Sequence, residues 1–224
     1  MNREPNPQAM DSELPNPARG KGMDKGCPGC IHRGVKRQPS LATERLVLRP
    51  LLAKDAPAVR RMARSRKIAR TIHWVFLPYS DAQTRRWIAS TAEHFAALTS
   101  VEFGIQLNRG QALAGLIGLD HINPADSVAE LWFIMAVPCW GKGYATEAAH
   151  SVIAFGFQRL GLNRVCAYHL VRNPASGRVL AKIGMKREGL LRQGVRKGKV
   201  FEDVVLMALL REDWARTPQE RRVA

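Results

Sequence analysis

The sequence predicts a mixed α/β fold in which helices pack around a single β-sheet. Short apolar runs typical of strands alternate with longer segments of helical periodicity. Their order along the chain is strand, two helices, three strands, helix, strand, helix and two strands, which favours one sheet with helices against it. The length of 224 residues and the hydrophobic content of 46% are ordinary for one globular domain.

The domain begins with a strand and two helices. Residues 46–50 read as the strand, since they are mostly apolar and end at a proline. Apolar residues at helical spacing predict a first helix from Lys54 to about Arg70. A second helix is predicted over residues 82–98, with Asp81 as its N-cap.

The remaining elements follow from the same two periodicities and from Gly, Pro, Asn and Asp at the turns. The most regular helix precedes Gly161, and the next one ends at Gly184; both glycines are typical C-terminal stops. In chain order these elements are strands at 101–107, 112–122 and 128–135, a helix at 145–160, a strand at 164–170, a helix at 174–183, and strands at about 186–195 and 200–209.

The ends of the chain are predicted to lie outside the folded domain. Residues 1–40 are rich in Pro and Gly, carry a net positive charge and show no apolar periodicity, so we expect a disordered basic tail. The domain is expected over residues 41–216, followed by a short C-terminal tail over residues 217–224.

The N-terminal tail contains a Cys-x-x-Cys motif. Cys27 and Cys30 could hold half of a zinc site, and His32 could be a third ligand. A structural zinc site needs four ligands, and a redox-active motif of this kind normally opens a helix after a strand. We therefore expect no metal, and a zinc-dependent module stays open as an alternative.

The charge balance is the unusual feature of the composition. Lys and Arg number 35 against 19 Asp and Glu, which gives a formal net charge of +16 and favours anionic partners. The longest apolar runs are far shorter than the roughly 20 residues of a membrane-spanning helix, and the N-terminus lacks the apolar segment of a secretory signal. The expectation is a soluble cytoplasmic protein without a membrane partner, as a monomer or homodimer.

A glycine loop before the most regular helix is the first sign of chemistry. Gly141 and Gly143 allow a tight turn and bring backbone amides close to a ligand, with Lys142 between them. The N-terminus of a helix favours an anion, so a phosphate or pyrophosphate is the natural occupant. The loop matches neither the dinucleotide-binding nor the P-loop pattern.

Several further segments agree with this loop in order and spacing. They are Thr43-Glu-Arg-Leu-Val-Leu-Arg-Pro50, Ala129-Glu-Leu-Trp-Phe-Ile134, Asn173-Pro-Ala-Ser176, Leu180 to Gly189, Glu202-Asp203 and Trp214. Together they resemble the GNAT N-acetyltransferase superfamily, most closely its RimJ/RimL-type branch, over about residues 43–214. The resemblance implies a mixed, mostly antiparallel central sheet with splayed central strands and helices on both faces.

The resemblance also implies acetyl-CoA as co-substrate and a set of binding residues. The glycine loop would grip the pyrophosphate, although Trp140 replaces the polar residue that usually opens the loop. Pantetheine would lie in the gap between the splayed strands, where a backbone amide could stabilise the oxyanion. The residues implied are Ile134, Met135, Ala136, Val137, Trp140, Gly141, Lys142, Gly143, Tyr144, Ala145, Thr146, Asn173 and Ser176.

Two residues are candidates for the proton transfers. Many GNAT enzymes protonate the leaving thiolate with a tyrosine, but Leu180 occupies that position here. Ser176 is therefore the candidate donor, and a purely structural role in capping the helix is equally open. Glu130 is the candidate general base, with a solvent-facing strand residue as the alternative. His121 and the pair Glu202-Asp203 are weaker candidates.

The acceptor is expected to be a primary amine, on a protein N-terminus or on a small molecule. Basic residues crowd the first helix and the last hairpin; they would suit a ribosomal or RNA-rich setting and would repel a polyamine. Trp74 and Phe76 could line an acceptor groove, with packing in the core as the alternative that is more common for aromatic residues. A non-catalytic RNA- or ribosome-associated protein on the same fold is the alternative from another functional class.

Overall fold

The computed structural model describes residues 37–72, 80–110 and 112–216. The predicted groove residues Trp74 and Phe76 and the motif Cys27, Cys30 and His32 lie outside these ranges. In the described part, Gln38 already contacts the domain, since its Nε2 donates to the carbonyl of Glu102 at 2.7 Å. None of the helices in these ranges has the length and hydrophobicity needed to cross a membrane.

The described residues form eight strands and six α-helices. In chain order these are β1 (Leu41–Ala42), β2 (Leu46–Pro50), α1 (Ala56–Ala63), α2 (Arg66–Ala69), α3 (Asp81–Ala96), β3 (Val101–Leu107), β4 (Leu113–Asn123), β5 (Val128–Met135), α4 (Tyr144–Gln158), β6 (Arg164–Leu170), α5 (Pro174–Lys182), β7 (Lys186–Lys197), β8 (Val200–Leu210) and α6 (Arg211–Arg216). Short 3₁₀ turns precede α1 and α4.

The strands form one mixed sheet in the order β1-β2-β3-β4-β5-β6-β8-β7. The β5–β6 pair is parallel and every other described pair is antiparallel. Helix α4 covers one face of the sheet, where Val152 and Ile153 are fully buried, and α1 and α2 cover the opposite face through Val59 and Ile68. The predicted class, a mostly antiparallel mixed sheet between helices, is confirmed.

Two local predictions were wrong, and two short elements were not predicted. The helix expected from Lys54 to Arg70 is interrupted after Ala63, because Ser65 has an extended backbone and its hydroxyl caps a new helix by accepting from the amide of Ile68. The N-cap of α3 is Ser80, one residue before Asp81, and Ser80 exchanges hydrogen bonds with Gln83. Strand β1 and helix α6 were not predicted, since segments of two and six residues carry little periodic signal.

Candidate active site

The two parallel strands at the centre of the sheet pair only at their amino-terminal ends. Their register runs from Val128 opposite Arg164 to Glu130 opposite Cys166. β5 continues to Met135 and β6 to Leu170, so the two strands diverge beyond this point. A cleft with a volume of about 310 Å³ opens there, between the diverging strands and the amino-terminal ends of α4 and α5.

The edge of β5 that faces this cleft consists of the backbone of alternate residues. The amide of Ala136 donates to the carbonyl of Ala114 on β4, 2.8 Å away. Backbone groups alternate in direction along an antiparallel strand, so Phe133 and Met135 direct theirs away from β4, towards the cleft. These two amides are therefore the natural hydrogen-bond donors for a ligand in the gap.

The expected lining of the cleft by residues 134–137 is only partly matched. Ile134 and Met135 line the cleft, but Ala136 and Val137 are absent from its lining and pack against the core under α1 and α2. The cause is local: β5 ends at Met135, and the chain enters a 3₁₀ turn at Val137 that carries it away from the gap.

The glycine loop adopts a backbone conformation that requires its glycines. Gly141 and Gly143 have φ angles of +74° and +79°, in the left-handed region that other residues rarely adopt. Gly143 is the N-cap of α4, so the first backbone amides of that helix lie next to this turn. These amides have no acceptor within the helix and are available to a ligand. The predicted loop and helix residues that line the cleft are Trp140, Gly141, Gly143, Tyr144, Ala145 and Thr146.

Two side chains in the loop behave differently from the expectation. Lys142 is exposed and does not line the cleft; it contributes its carbonyl, which accepts from Arg45 Nη1 at 3.1 Å. The indole Nε1 of Trp140 donates to the carbonyl of Met135 at 2.8 Å. Trp140 thus joins the loop to the end of β5, which explains how an aromatic residue serves at a position that is usually polar.

Arg45 braces the glycine loop from outside the predicted set. Its Nε donates to Oε2 of Glu147 at 2.6 Å, while its Nη1 reaches Lys142 and its guanidinium lies 5.0 Å from the ring centroid of Tyr144. Glu147, on the first turn of α4, is only 4% exposed and also accepts from the Thr43 hydroxyl. The resemblance includes Thr43 and Arg45, but sequence alone did not show that they contact α4.

The protonation of Glu147 follows from this network. Burial alone would raise the pKa of Glu147, but hydrogen bonds from Thr43 and Arg45 hold it below its usual range. The carboxylate therefore stays charged and keeps Arg45 in place beside the loop.

Asn173 and Ser176 come together at the start of α5. Asn173 is the N-cap of α5, and its Nδ2 donates to the Ser176 hydroxyl oxygen at 2.9 Å and to the carbonyl of Thr71 at 2.8 Å. Because a carbonyl can only accept, the bond to Thr71 fixes the orientation of the amide. Both Asn173 and Ser176 line the cleft.

The position of the usual tyrosine holds no hydroxyl group, but β6 brings a tyrosine to the cleft. Leu180, at the position of the usual tyrosine, is 1% exposed in the core and has no acidic proton. Tyr168 on β6 lines the cleft, and burial, with smaller contributions from Cys166 and Glu130, raises its pKa, so it stays protonated. Sequence reasoning missed Tyr168, because its position depends on where β5 and β6 diverge.

Glu130 is the last residue of β5 that pairs with β6, and it lies directly opposite Cys166 on β6 and Asp120 on β4. Burial, together with the nearby charge of Asp120, raises the pKa of Glu130 from its usual 4.5 to about 7. The side chain does not line the cleft itself. Glu130 is thus a carboxyl group that changes protonation near neutral pH, next to the point where the strands separate.

The weaker base candidates have other partners or positions. Glu202 forms an ion pair with Arg172, and Asp203 accepts from the backbone amide of Gln193 at 2.7 Å. His121 is exposed at an irregular stretch of β4, with a φ of +51°. Among residues 37–72, 80–110 and 112–216, no cluster of three or more His, Cys, Asp or Glu side chains could hold a metal ion.

Diverging parallel strands beside a glycine loop at a helix N-terminus form the site of an acyl-CoA-dependent acyltransferase. Residues 45–186 match the model of the acetyltransferase (GNAT) domain family, which covers more than half of the chain. The chain belongs to the GNAT acetyltransferase family and is an acetyl-CoA-dependent N-acetyltransferase.

Two bacterial relatives agree with this assignment. YoaA of Bacillus subtilis, named an uncharacterized N-acetyltransferase, is 30% identical over 69% of this chain and 87% of its own length. YdaF of the same organism is 30% identical over 76% of this chain and 94% of its own, and its name proposes ribosomal N-acetyltransferase activity. This second relative supports the predicted resemblance to the RimJ/RimL-type branch.

A solved structure shows the same fold. The GNAT-family acetyltransferase from Bacillus anthracis superimposes with a TM-score of 0.68 at 27% sequence identity, covering 78% of this chain and 99% of that one.

Proposed function

We propose that this enzyme transfers the acetyl group of acetyl-CoA to the N-terminal α-amine of a protein, with ribosomal proteins as the favoured class of acceptor. The observation that carries the proposal is the cleft between β5 and β6, which has the glycine loop at one end and the Asn173–Ser176 pair in its wall. Acetyl transfer by direct attack of the amine needs no covalent enzyme intermediate.

The cleft fits acetyl-CoA by the chemistry of its two ends. The turn through Gly141 and Gly143 and the first amides of α4 suit the pyrophosphate, since both present N–H groups to an anion. The edge of β5 at Phe133 and Met135 suits the amides of pantetheine, which would bind as an added strand. When bound, acetyl-CoA supplies the activated acetyl group; all other contributions come from the protein.

The β5 edge also serves the carbonyl at which the amine attacks. Negative charge develops on that oxygen, and a fixed N–H in a site that excludes water stabilises it without reorganisation. We assign this role to the backbone amides of Phe133 and Met135, which point into the gap.

Ser176 is our candidate for the group that protonates the departing thiolate. Its oxygen accepts from Asn173 Nδ2, so the hydroxyl proton points away from that amide and can be donated to a ligand in the cleft. Asn173 is in turn fixed by Thr71, which makes it a positioning residue for the serine.

Glu130 is our candidate general base. A pKa of about 7 leaves it largely ionised just above neutral pH, where it takes a proton from the incoming amine through water. An α-amine has a pKa of roughly 7.7–8.0, against about 10.4 for a lysine side chain, so the N-terminal amine needs less help from a base.

The choice of a protein N-terminus rests on two further observations. YdaF, the relative whose name proposes ribosomal N-acetyltransferase activity, is covered over 94% of its length. The net charge of +16 repels polycationic acceptors and favours an anionic environment.

The proposal is tested by measuring thiol release from acetyl-CoA with matched acceptors. The panel contains peptides that begin with Ala or Ser, the same peptides with a blocked N-terminus, a peptide with only a lysine amine, spermidine and an aminoglycoside. We expect release with the free N-terminal peptides alone. Faster release with spermidine or the aminoglycoside would contradict the acceptor class while leaving acetyl transfer intact.

A further inference from the structure

The two basic stretches of the sequence lie side by side in the structure. Lys197, at the turn of the β7–β8 hairpin, donates from Nζ to the carbonyls of Ala69 and Ile72. Arg172 donates to the carbonyl of Arg70 and pairs with Glu202 on β8. These contacts hold the hairpin against the carboxyl end of α2. We define the basic surface as the exposed cations of the two segments that meet there: Arg64, Arg66, Lys67, Arg70, Arg196 and Lys199.

The acidic residues of these stretches are engaged elsewhere. Residues 54–70 contain seven Lys or Arg and a single acid, Asp55, which is buried and bonds to Arg49 at 2.7 Å. In the hairpin, Glu188 pairs with Arg164 and Glu202 with Arg172. The side chains of the basic surface itself are exposed, so they present a strongly positive face to solvent.

The hairpin turn adds an exposed aromatic ring to this charge. Phe201 is 56% exposed, and the guanidinium of Arg196 lies 5.8 Å from its ring centroid. An exposed ring among cations is the combination with which proteins bind single-stranded nucleic acid, because bases stack on the ring while phosphates meet the cations. An acidic peptide would use the charges but not the ring.

The basic surface also adjoins the mouth of the cleft. Ile68, Thr71 and Ile72 line the cleft and belong to the segment that carries Arg66, Lys67 and Arg70. A polyanion bound to this surface would therefore lie next to the place where the acceptor amine enters.

We propose that the basic surface binds single-stranded RNA, with Phe201 stacking on a base and the arginines and lysines contacting phosphates. This inference rests on the proposed function. RNA bound next to the acceptor terminus would hold a ribonucleoprotein substrate at the cleft.

The test measures fluorescence anisotropy of a labelled single-stranded RNA oligonucleotide with the full chain over a range of salt concentrations. The variant R66A/K67A should weaken binding about tenfold and reduce the slope of log affinity against log salt by between about one and two. Phe201→Ala should weaken binding by roughly tenfold and leave the salt slope unchanged, since stacking releases no counterions. The matched control is R159A/R216A, which removes the same charge from exposed positions in other elements.

Three results would overturn the inference: an equal loss in the control variant, no effect of Phe201→Ala, or binding of polyglutamate in preference to RNA. Thiol release with a short N-terminal peptide separates this inference from the proposed function. R66A/K67A should keep wild-type turnover of that peptide, because neither residue lines the cleft. If the wild-type protein turns over the peptide but does not bind RNA, this inference is contradicted and the proposed function is not. If the wild-type protein binds RNA but does not turn over the peptide, the proposed function alone is contradicted.

Discussion

Asn173 connects the α1–α2 side of the molecule to the proposed proton donor through one amide group. Its Nδ2 holds both Thr71 and Ser176, and it is only 7% exposed. The arrangement leaves the Ser176 oxygen as an acceptor towards the asparagine and its proton available to the cleft. The cap of α5 is the Asn173 side chain, which accepts from the backbone amide of Ser176. The bond from Asn173 Nδ2 to the Ser176 hydroxyl is therefore not needed for the cap.

Ser176→Ala should lower kcat by about 10²-fold, the lower end of what a general acid contributes, with little change in the KM for acetyl-CoA. Steady-state thiol release with a reactive N-terminal peptide provides the measurement. Tyr168→Phe is the matched control, since Tyr168 also carries a hydroxyl group in the cleft wall and stays protonated. Full activity in Ser176→Ala together with a loss in Tyr168→Phe would transfer the donor role to the tyrosine.

Glu130→Gln should lower kcat/KM by about 10²-fold at neutral pH and change the shape of the pH profile. In the wild type kcat/KM rises through about pH 7 as Glu130 loses its proton, and further as the acceptor amine becomes neutral. The variant should retain only the rise that belongs to the amine. An unchanged profile would exclude Glu130 as the base.

At the scale of elements, the glycine loop depends on β2 as well as on α4. Arg45, just before β2, bonds to Glu147 in α4 and to the carbonyl of Lys142 in the loop. This bridge fixes the loop relative to the helix whose amides would face the pyrophosphate. The contacts join residues about a hundred positions apart, so they arise from the order of strands and not from any local pattern.

Arg45→Ala should raise the KM for acetyl-CoA about tenfold, because the glycine loop loses the contacts that hold it in place. The kcat at saturating acetyl-CoA should change little, because the walls of the cleft stay the same. Arg45→Lys should restore part of the affinity, since an amine can still reach Glu147. Kinetic titration of acetyl-CoA separates the two parameters. A fall in kcat at unchanged KM would show that Arg45 acts on the chemical step and not on the loop.

The elements differ in how far sequence could predict them. Strand β6 was predicted with its observed ends, and α4 within two residues, because the apolar pattern of each is bounded by clear stop signals. The break between α1 and α2 was missed, since Ile68 continues the apolar stripe across the interruption at Ser65. Periodicity reports which face is buried and does not report where a hydroxyl caps a new helix.

The candidate site divides in the same way. The glycine loop, Asn173 and Ser176 were found because each belongs to a short local motif. The residues that hold them in place come from distant segments: Arg45 bonds to the loop, and Thr71 bonds to Asn173. Register likewise sets Asp120 opposite Glu130, and no single-sequence signal shows such a pairing.

At the scale of the whole molecule, the ionisation of Glu130 links activity to stability. Its pKa is about 7 in the folded protein, above its usual 4.5, so the folded state holds the proton more tightly than the unfolded chain does. The associated stability is therefore fully present below about pH 4.5 and is lost as the pH rises to about 7.

Glu130→Gln should accordingly gain thermal stability relative to the wild type across this window, and the difference should be constant above it. Thermal unfolding at a series of pH values, with no substrate present, measures the effect independently of catalysis. If the difference in stability between Glu130→Gln and the wild type is the same at every pH, Glu130 does not have the raised pKa.

Acetyl-CoA should raise the unfolding temperature of the full chain in a concentration-dependent way, because a ligand of the folded state stabilises it by mass action. Free CoA should do the same, since the loop and the β5 edge bind the part common to both. Desulfo-CoA serves as a control that leaves these contacts intact. Stabilisation by none of the three would contradict the assignment of the cleft.

The β5–β6 cleft is where we propose that the acetyl group passes to a protein N-terminal amine. The most direct measurement follows thiol release from acetyl-CoA with a peptide that carries a free N-terminal amine, with mass spectrometry of the peptide as a second readout. We expect thiol release that depends on the peptide and matches the amount of N-terminally acetylated product. Thiol release of the same rate with the blocked peptide, or no release with any amine in the panel, would contradict it.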